Sequence, residues 1–104
     1  MNIMAKGKKK PSKAGGKMRA SHILVEKHKK IVEFKNRIDN GEDFAKIARE
    51  FSNCPSKKKG GDLGWFSKGS MVIEFEKTVK SIKVGEISEP VKTQFGWHLI
   101  KRTG

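Results

Sequence analysis

The 104-residue chain has no tyrosine, a single cysteine and three prolines, and its first 20 residues hold no acidic side chain. The lone cysteine, Cys54, rules out an internal disulfide and fits a reducing compartment. No apolar run approaches the roughly 18 residues that a membrane-crossing helix needs, so no membrane partner is expected. Met1-Asn2-Ile3-Met4 is too short and too polar for a secretory signal, which leaves cytoplasmic residence as the default expectation. A glycine-rich phosphate loop of the P-loop kind is missing. Cys54 with His22, His28 and His98 lacks zinc-type spacing, so neither a metal site nor a cofactor is expected.

Positive charge is abundant instead. Twenty-four Lys and Arg against 11 Asp and Glu leave a formal charge of +13. Seven of these cations (Lys6, Lys8, Lys9, Lys10, Lys13, Lys17, Arg19) lie in the first 20 residues, alongside Gly7, Pro11, Gly15 and Gly16. Such a stretch cannot bury enough apolar surface to offset the entropy of ordering. Residues 1 to 18 are therefore expected to form a disordered basic tail, and residues 19 to 104 one domain. A flexible polycation attracts polyanions by counterion release. With no aromatic side chain between the lysines, the expected contact is weak and non-specific, with nucleic acid or a ribosome through residues 5 to 19. A merely solubilising tail is the plainer alternative.

Hydrophobic spacing divides the rest. Ala20 to Val25 reads as a strand with Ile23 and Val25 on one face and His22 and Leu24 on the other. Ile31, Phe34 and Ile38 mark a helix from Lys29 to Asn40, stopped by Asn40-Gly41. Asp43 can cap a second helix with the stripe Phe44, Ile47, Ala48 and Phe51. Ser52 to Asp62 reads as a loop containing Lys57-Lys58-Lys59, and Leu63 to Phe66 as a short strand. Val72 to Ser81 reads as a third helix, and Met71, just before it, lies one helical turn from Phe75, so the two can face one cavity. Ile87 to Lys92 is a strand that Pro90 confines to an edge, and Trp97 to Lys101 is the last strand, with His98 and Ile100 on one face. The order implies an α+β domain with a small antiparallel sheet.

Four stretches carry more than periodicity: Ser21-His22-Ile23-Leu24-Val25, Gly60-Gly61-Asp62-Leu63-Gly64-Trp65-Phe66, Gly69-Ser70-Met71-Val72, and Thr93-Gln94-Phe95-Gly96-Trp97-His98-Leu99-Ile100. In this order, from about residue 19 to the C-terminus, they resemble the parvulin family of peptidyl-prolyl cis/trans isomerases. The resemblance implies a four-stranded antiparallel sheet surrounded by three to four helices, with the strands of His22 and His98 as central neighbours. It implies isomerase activity on proline-containing polypeptides and assistance to folding. The short link Glu26-Lys27-His28 leaves no space for the long Arg-rich loop of phosphate-specific members, so a small, stand-alone, non-phosphate-specific monomer is expected.

The resemblance also assigns roles. Leu63, Met71 and Phe75 form a proline pocket with Phe66 and Val72 beside it. The resemblance places Cys54 facing the substrate carbonyl; if the strands of His22 and His98 pair, the two imidazoles can lie within hydrogen-bonding distance on one face, where Thr93 can set the tautomer of one ring. An X-Pro bond is nearly balanced between cis and trans but rotates over tens to hundreds of seconds. No covalent bond has to break. A catalyst need only favour the twisted amide, so a polar sulfur acting electrostatically is preferred over a nucleophile. A lone strand histidine or a Met/Phe pair is more often plain core, and a nucleic-acid-associated or chaperone module acting through the tail is the competing reading.

Overall fold

A computed structural model of the chain describes residues 17–104. The tail reading for residues 1 to 16 lies outside them. The elements are β1 (Met18–Val25), α1 (His28–Asp39), α2 (Phe44–Phe51), a 3-10 turn (Pro55–Lys59), β2 (Asp62–Phe66), α3 (Ile73–Ser81), β3 (Val91–Thr93) and β4 (Gly96–Arg102). The four strands form one antiparallel sheet in the order β2-β1-β4-β3. The strands of His22 and His98 are thus the central pair, as the family pattern requires.

Strand alternation sends the sheet's side chains into two cores. Ile23, Val25 and Leu99 pack with Ile31 and Phe34 of α1 and with Phe44, Ile47 and Ala48 of α2. Met18, Ala20, Ile100 and Phe66 pack with Phe75 and Val79 of α3 on the opposite face. Each fully buried Ile, Leu, Val or Phe contributes about 1.5 to 3 kcal/mol against exposure, so both faces are needed to hold so small a sheet. The Asp43 carboxylate accepts the Lys46 N–H at 3.1 Å and caps α2 as its spacing predicts.

Four details differ from the periodicity. β1 starts at Met18, two residues earlier than expected and inside the stretch assigned to the tail. Met18 shares the face of Ala20 and is buried with it. The supposed loop after α2 holds a 3-10 turn, which Pro55 opens at its first position, where no N–H is required. Phe51 is 42% exposed rather than core, and stacks on Phe34 at 4.9 Å with the Arg37 guanidinium 5.4 Å from its ring. The Ile87–Lys92 strand breaks at Pro90, which has no N–H for the ladder. Ile87 makes an isolated bridge to Lys101, and regular pairing resumes at Val91 on the sheet edge.

Candidate active site

Strand register brings the two histidines together. β1 and β4 pair His22 with Ile100 and Leu24 with His98, so the imidazoles are diagonal neighbours on the face that α3 covers. Their Nδ1 atoms are 2.9 Å apart and the rings stack at 5.1 Å and 22°. β3 pairs Val91 with His98, which sets Thr93 diagonally beside it. Thr93 Oγ1 is 2.7 Å from His98 Nε2 and accepts the Phe95 N–H at 3.1 Å.

One direction of this relay uses every polar hydrogen except the last. The Thr93 hydroxyl donates to His98 Nε2. His98 then carries its hydrogen on Nδ1 and donates it to His22 Nδ1, which places the His22 hydrogen on Nε2. That nitrogen is buried with no protein partner. The opposite direction leaves the Thr93 hydrogen without an acceptor among these groups. Burial pushes both imidazoles down to about 4, with the neighbouring His98 lowering His22 further. Both rings are therefore neutral at pH 7, and the pair brings oriented dipoles rather than charge.

Beside the pair lies a half-open, mainly apolar hollow of about 240 Å³, lined by His22, Leu63, Ser70, Met71, Val72, Phe75, Phe95 and His98. Phe75 stands edge-on to both imidazoles, with centroids at 5.6 Å and 5.8 Å. Leu63, Met71, Val72 and Phe75 thus meet in one place. Phe66 does not reach the wall. It is 5% exposed and packs edge-on behind Phe75 at 6.1 Å, because the residue that ends β2 points into the α3 core. Cys54 is not a wall residue either. It caps the 3-10 turn in extended backbone, and its neighbours are tied to the end of β1: the Asn53 N–H donates to the Leu24 carbonyl at 2.7 Å, and the Leu24 N–H to the Ser52 hydroxyl at 3.0 Å. Cys54 itself is half-buried.

Ser70 and Phe95 are walls that sequence reasoning missed, although both lie inside the motifs that carry the resemblance. Phe95 is 59% exposed, so its ring remains largely open to solvent. Among the described residues no three His, Cys, Asp or Glu side chains cluster as metal ligands, and no helix is long and apolar enough to cross a membrane.

The glycine-rich turn locks this arrangement from behind. The His22 N–H donates to the Gly61 carbonyl at 2.9 Å, and the Gly61 N–H to the Ser56 carbonyl. Arg19 forks Asp62 at 2.7 Å and 3.2 Å, while Asp62 accepts the Gly64 N–H at 3.0 Å; the Arg19 bond above all holds the Asp62 carboxyl below its usual range. Gly61 has φ +91°, and a Cβ there would collide with the His22 carbonyl oxygen. Gly61→Ala is expected to cost on the order of 3 kcal/mol in urea unfolding; a loss under about 1 kcal/mol would contradict this.

The family model for the PPIC-type PPIASE domain matches residues 5–104. The foldase protein PrsA of Geobacillus kaustophilus is 56% identical over 88 residues, which cover 84% of this chain and 31% of that protein. The crystal structure of PrsA from Bacillus subtilis is 49% identical with a TM-score of 0.83, over 86% of this chain and 35% of that one. The solution structure of NmPin, the parvulin of Nitrosopumilus maritimus, is 45% identical with a TM-score of 0.78, over 91% of this chain and 100% of that one. The chain spans about a third of the length of the PrsA relatives it matches, and nearly all of its own length falls within the shared domain. Motif order, sheet order and kinship agree: the chain belongs to the PPIC-type peptidyl-prolyl cis/trans isomerase family, the parvulins.

Proposed function

We propose that this chain accelerates cis/trans rotation about X-Pro bonds in protein substrates and thereby assists their folding. The observation that carries the reading is the convergence of Leu63, Met71, Val72 and Phe75 on one hollow beside a buried, neutral histidine pair. The barrier to rotation, about 18 to 20 kcal/mol, comes from sharing of the amide lone pair with the carbonyl. An apolar wall that grips the pyrrolidine lets the chain on the other side turn. It also withdraws water from the planar, charge-separated amide and so favours the twisted one. Neutral imidazoles suit this surrounding, since a cation there would stabilise the planar carbonyl as well. No covalent bond to Cys54 is part of the mechanism, since rotation about the amide requires no bond to break.

Each chain carries a whole hollow, which supports a working monomer, and the one free cysteine fits a reducing, cytoplasmic setting. A nucleic-acid role for the basic tail gains no support from the relatives. Only Glu26 and Lys27 separate β1 from α1, so an Arg-rich phosphate clamp has no place there. A protease-coupled assay on paired Ser-Pro and phosphoserine-Pro peptides tests both points. The expected result is turnover of both, with kcat/KM values within about tenfold, or 1.4 kcal/mol. No acceleration of either peptide would overturn the function, and a hundredfold preference for phosphate would overturn the specificity.

A further inference from the structure

Three walls of the hollow, Ser70, Met71 and Val72, come from the short crossing between β2 and α3. This crossing has few ties. The Ser70 N–H donates to the Ser67 carbonyl at 3.1 Å, and the Val72 carbonyl accepts the Phe75 and Glu76 N–H groups as α3 begins. One side chain of α3 reaches back across it: Glu76 Oε1 accepts the Gly69 N–H at 2.7 Å, while Lys80 Nζ lies 3.2 Å from Oε2. Glu76 is only 8% exposed.

An acid in the first turn of a helix is ordinarily explained by the helix dipole. Glu74 occupies that turn at an exposed position and meets that need. Burying a second carboxylate is costly unless its oxygens are bonded. Glu76 is bonded, and to a backbone group seven residues earlier, outside the helix. We propose that Glu76 is a positioning residue for the isomerase reaction: it latches the Gly69 backbone to α3 and so holds Met71 and Val72 opposite Phe75 at the width of a proline ring. The latch rests on the functional reading given above. The Gly69 N–H, with a smaller contribution from Lys80, keeps the Glu76 carboxyl below its ordinary range, so the charged, accepting form persists across neutral pH.

A latch of this kind acts on binding. Walls that grip the ring in the planar and the twisted amide alike set KM more than kcat, since binding common to both states cancels from the chemical step. The test compares wild type, Glu76→Ala, Glu76→Gln and Lys80→Ala in the isomerase assay, together with hydrogen exchange at the Gly69 amide. Glu76→Ala is expected to raise KM about tenfold, change kcat less than about threefold, and speed Gly69 exchange at least tenfold. Glu76→Gln still offers an oxygen to Gly69 and should stay within about threefold of wild type in all three quantities. Lys80→Ala, which leaves the latch bond in place, should do the same. Unchanged KM in Glu76→Ala, equal damage from Ala and Gln, or a fall in kcat alone would overturn the latch while leaving the isomerase reading intact. A wild-type chain without isomerase activity would overturn both. If Glu76→Ala does not fold, the Gln variant decides, because a merely structural need for charge would disable it too.

Discussion

Met71→Ala should lower kcat/KM by about ten- to a hundredfold while leaving the fold nearly as stable as wild type. Met71 is half-exposed at the hollow, so the native domain gains little from its burial, whereas a bound pyrrolidine would cover it. Covering an apolar side chain of this size contributes about 1.5 to 3 kcal/mol, which is the stated loss in rate. Phe75→Ala should behave differently. Phe75 is 3% exposed, belongs to the α3 core and supports Phe66 and both imidazoles with its ring edge. Removing it creates a cavity and costs about 3 to 5 kcal/mol, a large share of the roughly 4 to 13 kcal/mol available to a domain of this size. The family resemblance suggests that both substitutions affect activity more than stability; depth separates them. Urea melts with kcat/KM for both variants check this, and a Met71→Ala variant that loses stability and activity in equal measure would return Met71 to the core.

Acid should unfold the domain earlier than its carboxylates require. In the unfolded chain His22 and His98 take up protons near their ordinary value of about 6.5. In the folded chain each resists protonation down to about 4. Between those limits the unfolded state binds more protons, so stability falls as pH falls. It is complete above about pH 6.5, and the decline ends below about pH 4, where the folded rings are protonated as well. Two such rings remove on the order of 4 kcal/mol between pH 7.5 and pH 5. Asp62, held below the usual carboxylate range by Arg19, contributes stability that is lost only as pH falls through its lower folded value. Urea midpoints across this range should therefore slide steadily from pH 6.5 downward. A flat profile to pH 5 with collapse only below pH 4 would show that the imidazoles are not buried neutral.

The sheet and its histidines were legible because strand alternation is unambiguous in Ile23/Val25 against His22, and in His98/Ile100 against Leu99. The relay through Thr93 followed once the two strands were neighbours. Depth was less legible. Phe66 and Phe75 are both aromatic residues near one turn, yet the first ends a strand facing α3 and the second stands between it and the hollow. Cys54 stands at the head of the turn that Pro55 starts, and the bonds that tie its neighbours Ser52 and Asn53 to Leu24 leave no periodic pattern in the sequence. Met18 was hidden because lysine-rich sequence surrounds it, although a single buried Met suffices to begin a strand. Glu76 looked like any acid in a first helical turn, and its bond to Gly69 exists only in three dimensions.

The central claim is that the hollow formed by Leu63, Met71, Val72 and Phe75 seats the proline ring while the peptide bond turns. Exchange spectroscopy on an X-Pro peptide with isotope-labelled protein tests it in one sample. The account predicts cis/trans exchange peaks on the subsecond scale, which the free peptide, at tens to hundreds of seconds, cannot show. It also predicts Overhauser contacts from the pyrrolidine protons to the Met71 methyl and the Phe75 ring. Exchange that stays at the uncatalysed rate, or a proline ring whose contacts fall elsewhere on the surface, would contradict it.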